Sequence, residues 1–147
     1  MGKGFKIALM TLDGGRIDVA AQAAIDHCKK YATEHRQDEQ RISQYQFTQF
    51  ELADMQTRID AACLLVYRAA QAKQEHKPFS HLAAMGKLYA AKTATNVTRR
   101  CVQLAGYNGY SRDFPFERLM RDAKITEIYE GTSEVQRMVI SSWMDIK

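Results

Sequence analysis

The chain has 147 residues, of which 46% are hydrophobic and 26% charged, which is ordinary for a soluble globular domain. Its net charge of +4 is spread among 17 acidic residues, and this scatter argues against nucleic-acid binding. No apolar run approaches the roughly 20 residues that cross a bilayer, and no signal peptide is recognisable, so a membrane or secreted protein is not expected. We predict one domain over residues 1–147.

The cysteines and histidines give no sign of a metal site or a disulfide framework. Cys28, Cys63 and Cys101 are far apart, and their number is odd. The four histidines lack the HxxxH and HxxE spacings that bring ligands together on one helix face. We therefore expect no bound metal and a reducing compartment.

The first predicted helix follows a break at Asp13-Gly14-Gly15. Its apolar residues recur at steps of three and four, which indicates an amphipathic helix with one buried face: Ile17, Ala20, Ala21, Ala24, Ile25, Cys28 and Tyr31. The charged stretch at 34–41 is predicted to be a solvated helix end and loop.

A second helix is predicted from a capping box at Ser43 and Gln46 to about Gln74. Methionine and aromatic residues at helical spacing are interpreted as core. On this helix the predicted core positions are Phe47, Phe50, Met55, Ile59 and Ala62.

A third, alanine-rich helix is predicted to begin with Ser80 as its cap. A glycine-rich turn, "GYNGY", follows it, and Pro115 then stands at the first position of a short helix. The last helix is predicted to start at about Thr132. Since no segment shows strand periodicity, we predict an all-α, antiparallel up-and-down four-helix bundle with three long helices and a shorter fourth.

The string "FPFERLMRDAKITEIYEGTSEVQRMVIS", residues 114–141, is far more specific than these patterns. It resembles the C-terminal helical domain of the acyl-CoA dehydrogenase family, especially its short-chain, butyryl-CoA type. Weaker similarity, including "YQFTQFELADM", extends over nearly all of this chain. The chain corresponds only to the last part of a family member, without the N-terminal helical domain and the middle β-domain.

The resemblance implies FAD-dependent α,β-desaturation of a short-chain acyl-CoA, a step of fatty-acid β-oxidation. Glu130 matches the base that removes the α proton, and the amide of Gly131 would hold the thioester carbonyl. The family segment that lines the acyl-CoA site corresponds to Asp13, Gly14, Gly15 and Arg16. From the residues alone, an acid in an exposed turn is the default interpretation of Glu130, and Arg16 is equally a helix-start residue.

The resemblance also implies FAD contacts at Gln46, Gln103, Gly106, Thr132 and Glu134. Several of these have local explanations: Thr132 suits a helix N-cap, Glu134 complements the helix dipole, and Gln46 fits the capping box. Both roles are expected for Thr132. The resemblance further implies acyl-CoA as a partner, a homo-oligomer, and a bacterial cytoplasmic or mitochondrial-matrix location.

Several residues depart from the family pattern at the expected FAD site, among them Arg41, which replaces a proline. In the stretch "EHRQDEQRI", His35 replaces an arginine, and Asp38 and Glu39 replace a phenylalanine and a glycine. Tyr107 stands where the family has the second glycine of a Gly-Gly pair. Acids near a pyrophosphate are repulsive, so these changes predict weakened FAD binding.

Three hypotheses follow. The first is a dehydrogenase domain that carries the base but is inactive alone. The second is a cofactor-free structural or interaction bundle, either excised or engineered, or a naturally divergent fragment. The third is a subunit completed by separate chains that supply the missing domains.

Overall fold

The computed structural model describes the backbone of residues 13–146 and the side chains of residues 20–146. The chain forms a helical bundle, which confirms the predicted all-α class. Its α-helices in that range are α1 (Asp13–Glu34), α2 (Gln46–Gln74), α3 (Ser80–Ala105), the one-turn α4 (Tyr107–Tyr110), α5 (Phe116–Lys124) and α6 (Ser133–Trp143). Short 3-10 turns lie at Ile42–Gln44 and Ile125–Glu127.

Helix α3 is the centre of the bundle because it packs against α1, α2, α5 and α6. Its buried stripe includes several alanines, which let the neighbouring backbones approach closely: Ala84, Ala90, Ala91 and Ala94. The predicted apolar face of α1 is confirmed at Ala21, Ala24, Ile25, Cys28 and Tyr31.

Phe47 and Phe50 are not core residues, contrary to prediction. Their exposed fractions are 64% and 61%, whereas Met55, Ile59 and Ala62 further along α2 are buried. The apolar pattern of the first turns of α2 therefore faces away from the chain's own core.

The helix starts differ from the predicted capping in three places. Ser43 lies inside a 3-10 turn, where Gln44 accepts a hydrogen bond from the Arg41 amide at 2.8 Å, so Ser43 and Gln46 form no capping box. Ser80 belongs to the first turn of α3 rather than capping it. The backbone at Asp13-Gly14-Gly15 is already helical, so it does not break the chain before α1.

The charged stretch after α1 is a small antiparallel hairpin, not only a loop. Strand β1 (Arg36–Gln37) pairs with β2 (Gln40–Arg41), and every residue of both strands is exposed. Asp38 sits in the turn with φ 56°, a left-handed conformation that aspartate tolerates better than most residues. The strands were missed because two-residue segments carry no readable period.

Within residues 20–146, no cysteine forms a disulfide bond. Cys28 of α1 and Cys101 of α3 are fully buried beside each other. Their hydrogen bond, together with burial, raises the pKa of the Cys101 thiol. The same hydrogen bond lowers the pKa of the Cys28 thiol.

No group of three or more His, Cys, Asp or Glu side chains within 20–146 is arranged to hold a metal ion. Over the same part of the chain, no helix is both long and apolar enough to cross a membrane.

A bidentate ion pair joins α2 to α3. The Arg100 guanidinium contacts both carboxylate oxygens of Glu51, with Nε 2.6 Å from Oε2. The hydrogen bond from Arg100 is the main cause that lowers the pKa of Glu51 below its usual value of 4.5.

Because folding lowers this pKa, the pair stabilises the fold above about pH 4.5, and that stability is lost as the pH falls through the folded-state pKa. We expect Glu51→Gln to lower the free energy of unfolding by about 1 kcal/mol or less at pH 7. Urea titrations at several pH values should show this difference shrinking towards pH 3. Glu39→Gln, in the exposed hairpin, is the matched control. A difference that stays constant down to pH 3 would contradict the prediction.

Candidate functional site

The segment between α5 and α6 makes a tight turn that carries Glu130. The amides of Ile128 and Tyr129 both donate to the carbonyl of Ile125, each at 3.0 Å, and end the 3-10 turn. Glu130 then has φ 54° and Gly131 φ 98°. Two successive residues thus have positive φ. Glycine adopts such backbone readily, but a glutamate keeps it only where its surroundings hold it.

Two buried side chains hold the carbonyl of Gly131. Lys87 Nζ donates to it at 2.7 Å from α3, and Gln136 Nε2 donates at 3.2 Å from α6. Their exposed fractions are only 6% and 5%. A charge-assisted and a neutral hydrogen bond therefore converge on one backbone oxygen beside Glu130.

Helix α6 begins directly after this turn, as predicted. Thr132 is its N-cap, and the Thr132 hydroxyl accepts a hydrogen bond from the Val135 amide at 3.4 Å. The Gln136 amide also donates to the Thr132 carbonyl at 3.0 Å. The turn is consequently bounded by hydrogen bonds on both sides.

Glu130 is neither a core residue nor a freely exposed acid. The residue is half-buried, and its Oε2 atom is buried. A partly buried carboxyl group on strained backbone is typical of functional sites. This placement favours the base over the exposed-turn interpretation, but the role of Glu130 stays a prediction.

Other charges surround the turn. Glu127 accepts a hydrogen bond from Lys124 Nζ at 2.5 Å. Burial acts to raise the pKa of Glu127, but the hydrogen bond from Lys124 and the positive charges of Lys124 and Lys87 outweigh it and lower that pKa. Glu127 is therefore ionised, and it balances part of the positive charge near Glu130.

Glu134 is exposed in the first turn of α6. Its own backbone amide, followed by the Thr132 hydroxyl, lowers the pKa of its carboxyl group. Arg137 Nη1 lies 3.4 Å from its Oε1. The local explanations for Thr132 and Glu134 are thus present in the structure, and their FAD contacts stay predictions.

The remaining predicted cofactor positions lie on other elements. Gln46 starts α2, Gln103 lies near the end of α3, and both are exposed. Gly106 ends α3 with φ 57°, and no atom lies within 4 Å of the place where a Cβ would stand. These three positions are open to a ligand.

The predicted substrate segment forms the first turn of α1. The side chains of Asp13 and Arg16 lie outside the described residues, as do those of residues 17–19. Their expected approach to Glu130 stays a prediction.

The residues that depart from the family pattern lie in different environments. His35 stacks on Tyr31, with ring centroids 3.8 Å apart. Asp38 and Glu39 are exposed at the hairpin, and Tyr107 has an exposed fraction of 90%. Only His35 therefore has a clear packing role.

Sequence reasoning missed Lys87 and Gln136. A signal existed for Lys87, which lies three residues after Ala84 and four before Ala91, on the face that the alanines bury. A lysine on that face needs a partner, because a buried charge is costly alone. Gln136 carried no such signal.

A pair of glycine substitutions tests the turn. At Gly131, a Cβ would lie 2.8 Å from Gln136 Nε2, and φ 98° is strained for any other residue. We expect Gly131→Ala to lower the free energy of unfolding by about 1–3 kcal/mol, measured by urea denaturation.

Gly86→Ala is the control with the opposite sign. Gly86 lies inside α3, and an added Cβ would make ordinary contacts of 3.5 Å. Since alanine stabilises a helix interior more than glycine does, we expect Gly86→Ala to raise the free energy of unfolding by up to about 1 kcal/mol. Equal effects of the two substitutions would show that the turn is not strained.

Residues 2–144 match the family model described as "Acyl-CoA dehydrogenase, C-terminal domain". The chain is 51% identical over 146 residues to the short-chain specific acyl-CoA dehydrogenase of Clostridium acetobutylicum, covering 95% of this chain and 38% of that protein. Against the mitochondrial short-chain specific enzyme of Bos taurus the identity is 47%, covering 95% and 35%.

The fold is similar to the solved structure of butyryl-CoA dehydrogenase from Megasphaera elsdenii. The TM-score is 0.85 at 50% identity, and the match covers 97% of this chain and 39% of that one. The chain therefore spans well under half of the length of the proteins that it matches.

Proposed function

Because the chain belongs to the acyl-CoA dehydrogenase family, as its C-terminal domain, we propose that it supplies the base for FAD-dependent α,β-desaturation of a short-chain acyl-CoA. Glu130 is that base. The observation that carries the proposal is the left-handed turn, which presents a half-buried carboxyl group next to the backbone of Gly131.

In the proposed reaction, the bond between the α carbon and its proton breaks, and a Glu130 oxygen takes the proton. The released electron pair forms the double bond to the β carbon. Bound FAD would supply the acceptor for the hydrogen that leaves the β carbon with its electron pair. The Gly131 amide donates to the thioester oxygen, where negative charge develops.

The described residues fit a flavin nucleotide in part. Gln46, Gln103 and Gly106 are exposed and open, and Thr132 and Glu134 lie beside the base. We propose that these five residues hold FAD. The acids of the hairpin do not fit a pyrophosphate, so we expect binding weaker than in the relatives.

The acyl-CoA partner would also need the first turn of α1, Asp13 to Arg16, and the domains that the relatives have in addition. Large exposed apolar residues on α2 support packing against such domains or against further copies of the chain: Phe47, Phe50, Leu64 and Tyr67. The chain alone should therefore show no catalytic activity. Its relatives include a bacterial and a mitochondrial protein, which supports either the bacterial cytoplasm or the mitochondrial matrix as its location.

The second candidate function is a cofactor-free structural or interaction bundle. The exposed acids Asp38 and Glu39 and the exposed Tyr107 favour it, because each stands where the family is expected to contact FAD.

Two measurements separate these functions. The purified chain is mixed with FAD and desalted, and flavin absorbance is recorded. The chain is also fused to the N-terminal and middle domains of the Megasphaera elsdenii enzyme, and reduction of a dye by butyryl-CoA is followed. Dye reduction by the fusion supports the proposed function. A fusion that is folded and flavin-loaded but inactive contradicts it, and a fusion that stays colourless with added FAD favours the cofactor-free bundle.

A further inference from the structure

Lys87 is an unusual residue for the centre of this bundle. It lies on the alanine stripe of α3, one turn from buried Ala84 on one side and buried Ala91 on the other. Its exposed fraction is 6%. A methionine would fill similar space without the desolvation cost of an ammonium group, so packing alone does not explain a lysine here.

The ammonium group of Lys87 is directed at the turn that carries Glu130. Lys87 Nζ lies 2.7 Å from the Gly131 carbonyl, although the two residues are 44 positions apart in the chain. Gln136 already provides a neutral donor to the same oxygen at 3.2 Å. The lysine therefore adds a second bond and a positive charge one residue from Glu130.

We propose that Lys87 is a positioning residue: by holding the Gly131 carbonyl it fixes the left-handed turn that directs the Glu130 carboxyl group and the Gly131 amide. Its meaning for catalysis rests on the function proposed above, whereas its effect on the turn does not.

The geometry explains why this bond matters. Glu130 at φ 54° occupies a backbone region that a residue with a side chain keeps only with support, whereas glycine adopts the φ of 98° at Gly131 readily. The Gly131 carbonyl and the Gly131 amide belong to one residue, so anchoring the carbonyl restricts where the N–H points. Helix α3 is the most enclosed helix of the bundle, and a contact from it ties the turn to a rigid element.

The first test uses the unmutated chain. In a sample labelled with nitrogen-15 and carbon-13, we expect a slowly exchanging Lys87 ammonium signal with a through-hydrogen-bond coupling to the Gly131 carbonyl carbon. Absence of both the signal and the coupling overturns the proposal, and this result does not depend on any variant folding.

The second test uses variants. Lys87→Met should increase amide hydrogen exchange at Glu130, Gly131 and Thr132 at least tenfold, and Lys87→Arg should restore most of the protection. Lys92→Met is the matched control, because Lys92 lies on the same helix and is exposed; it should leave those amides unchanged. If Lys87→Met and Lys87→Arg change the exchange rates equally, or if Lys87→Met leaves them unchanged, Lys87 is only a core residue.

The third test connects the turn to the reaction. In the fusion that reduces dye, Lys87→Met should lower kcat at least tenfold and leave the KM for butyryl-CoA within about twofold, since positioning acts on the chemical step. If KM rises and kcat does not fall, Lys87 is not a positioning residue. If the unmutated fusion is inactive, the proposed function fails, while the exchange and coupling results still decide the role of Lys87 in the turn.

Discussion

Glu130→Gln is expected to reduce the rate of dye reduction in the active fusion by about 10²–10⁴-fold, the usual contribution of a positioned general base. The amide has nearly the same shape as the carboxyl group but cannot accept the α proton. The fold should be unchanged, because Glu130 lies in a turn and is only half-buried. Single-turnover reduction of the flavin absorbance by butyryl-CoA measures the chemical step directly.

Glu117→Gln is the matched control for this experiment. Glu117 lies in the first turn of α5, away from Glu130 in the chain, and pairs with exposed Arg121 at 2.8 Å. Its substitution should leave the rate within about twofold, since it removes only a surface ion pair. A fully active Glu130→Gln protein would remove Glu130 from the mechanism and favour its interpretation as a structural acid of the turn.

Phe116→Ala is expected to have the largest effect on stability, a loss of about 3–5 kcal/mol in the free energy of unfolding. Among the side chains that the structure describes, Phe116 is the largest that is fully buried, with 1% of its surface exposed. Its ring meets Tyr31 edge-on at 5.8 Å and so joins α5 to α1. Its removal leaves a cavity at this junction. Urea denaturation followed by circular dichroism measures the loss.

Phe50→Ala is the corresponding control, because it removes the same ring from a site that is 61% exposed. In the monomeric chain its effect should stay within about 0.5 kcal/mol. A similar loss for both variants would mean that the start of α2 is covered in solution, for example by another copy of the chain.

The positions of the helices were readable from the sequence where the signals are local. The end of α2 at Gln74 and the cap of α6 at Thr132 were predicted correctly. Periodicity and capping depend on residues within a turn or two of each other, so tertiary packing had little to change. The predicted capping box of Ser43 and Gln46 is absent, because Tyr45 is extended and the Gln44 side chain instead accepts a hydrogen bond from the Arg41 amide.

The apolar residues at the start of α2 show a limit of such patterns. Phe47 and Phe50 repeat at helical spacing like core residues, yet both are exposed. A period identifies an apolar face but does not say whether the partner of that face is the same chain, another domain or another copy.

The turn itself was identified only through the family resemblance of residues 114–141. Composition and spacing left Glu130 as an ordinary acid before a helix. Its left-handed backbone depends on hydrogen bonds from Lys87 and Gln136, and neither could be assigned to the turn from local sequence.

The sequence by itself therefore determined the helical class, the approximate positions of the long helices and the position of the candidate base, because these follow from short-range periodicity and one specific string. Only the tertiary structure decided what holds that base. The contact between Lys87 and Gly131 spans 44 residues, and it exists because α3 packs against α6 and carries its one buried lysine to the turn within the described part of the chain.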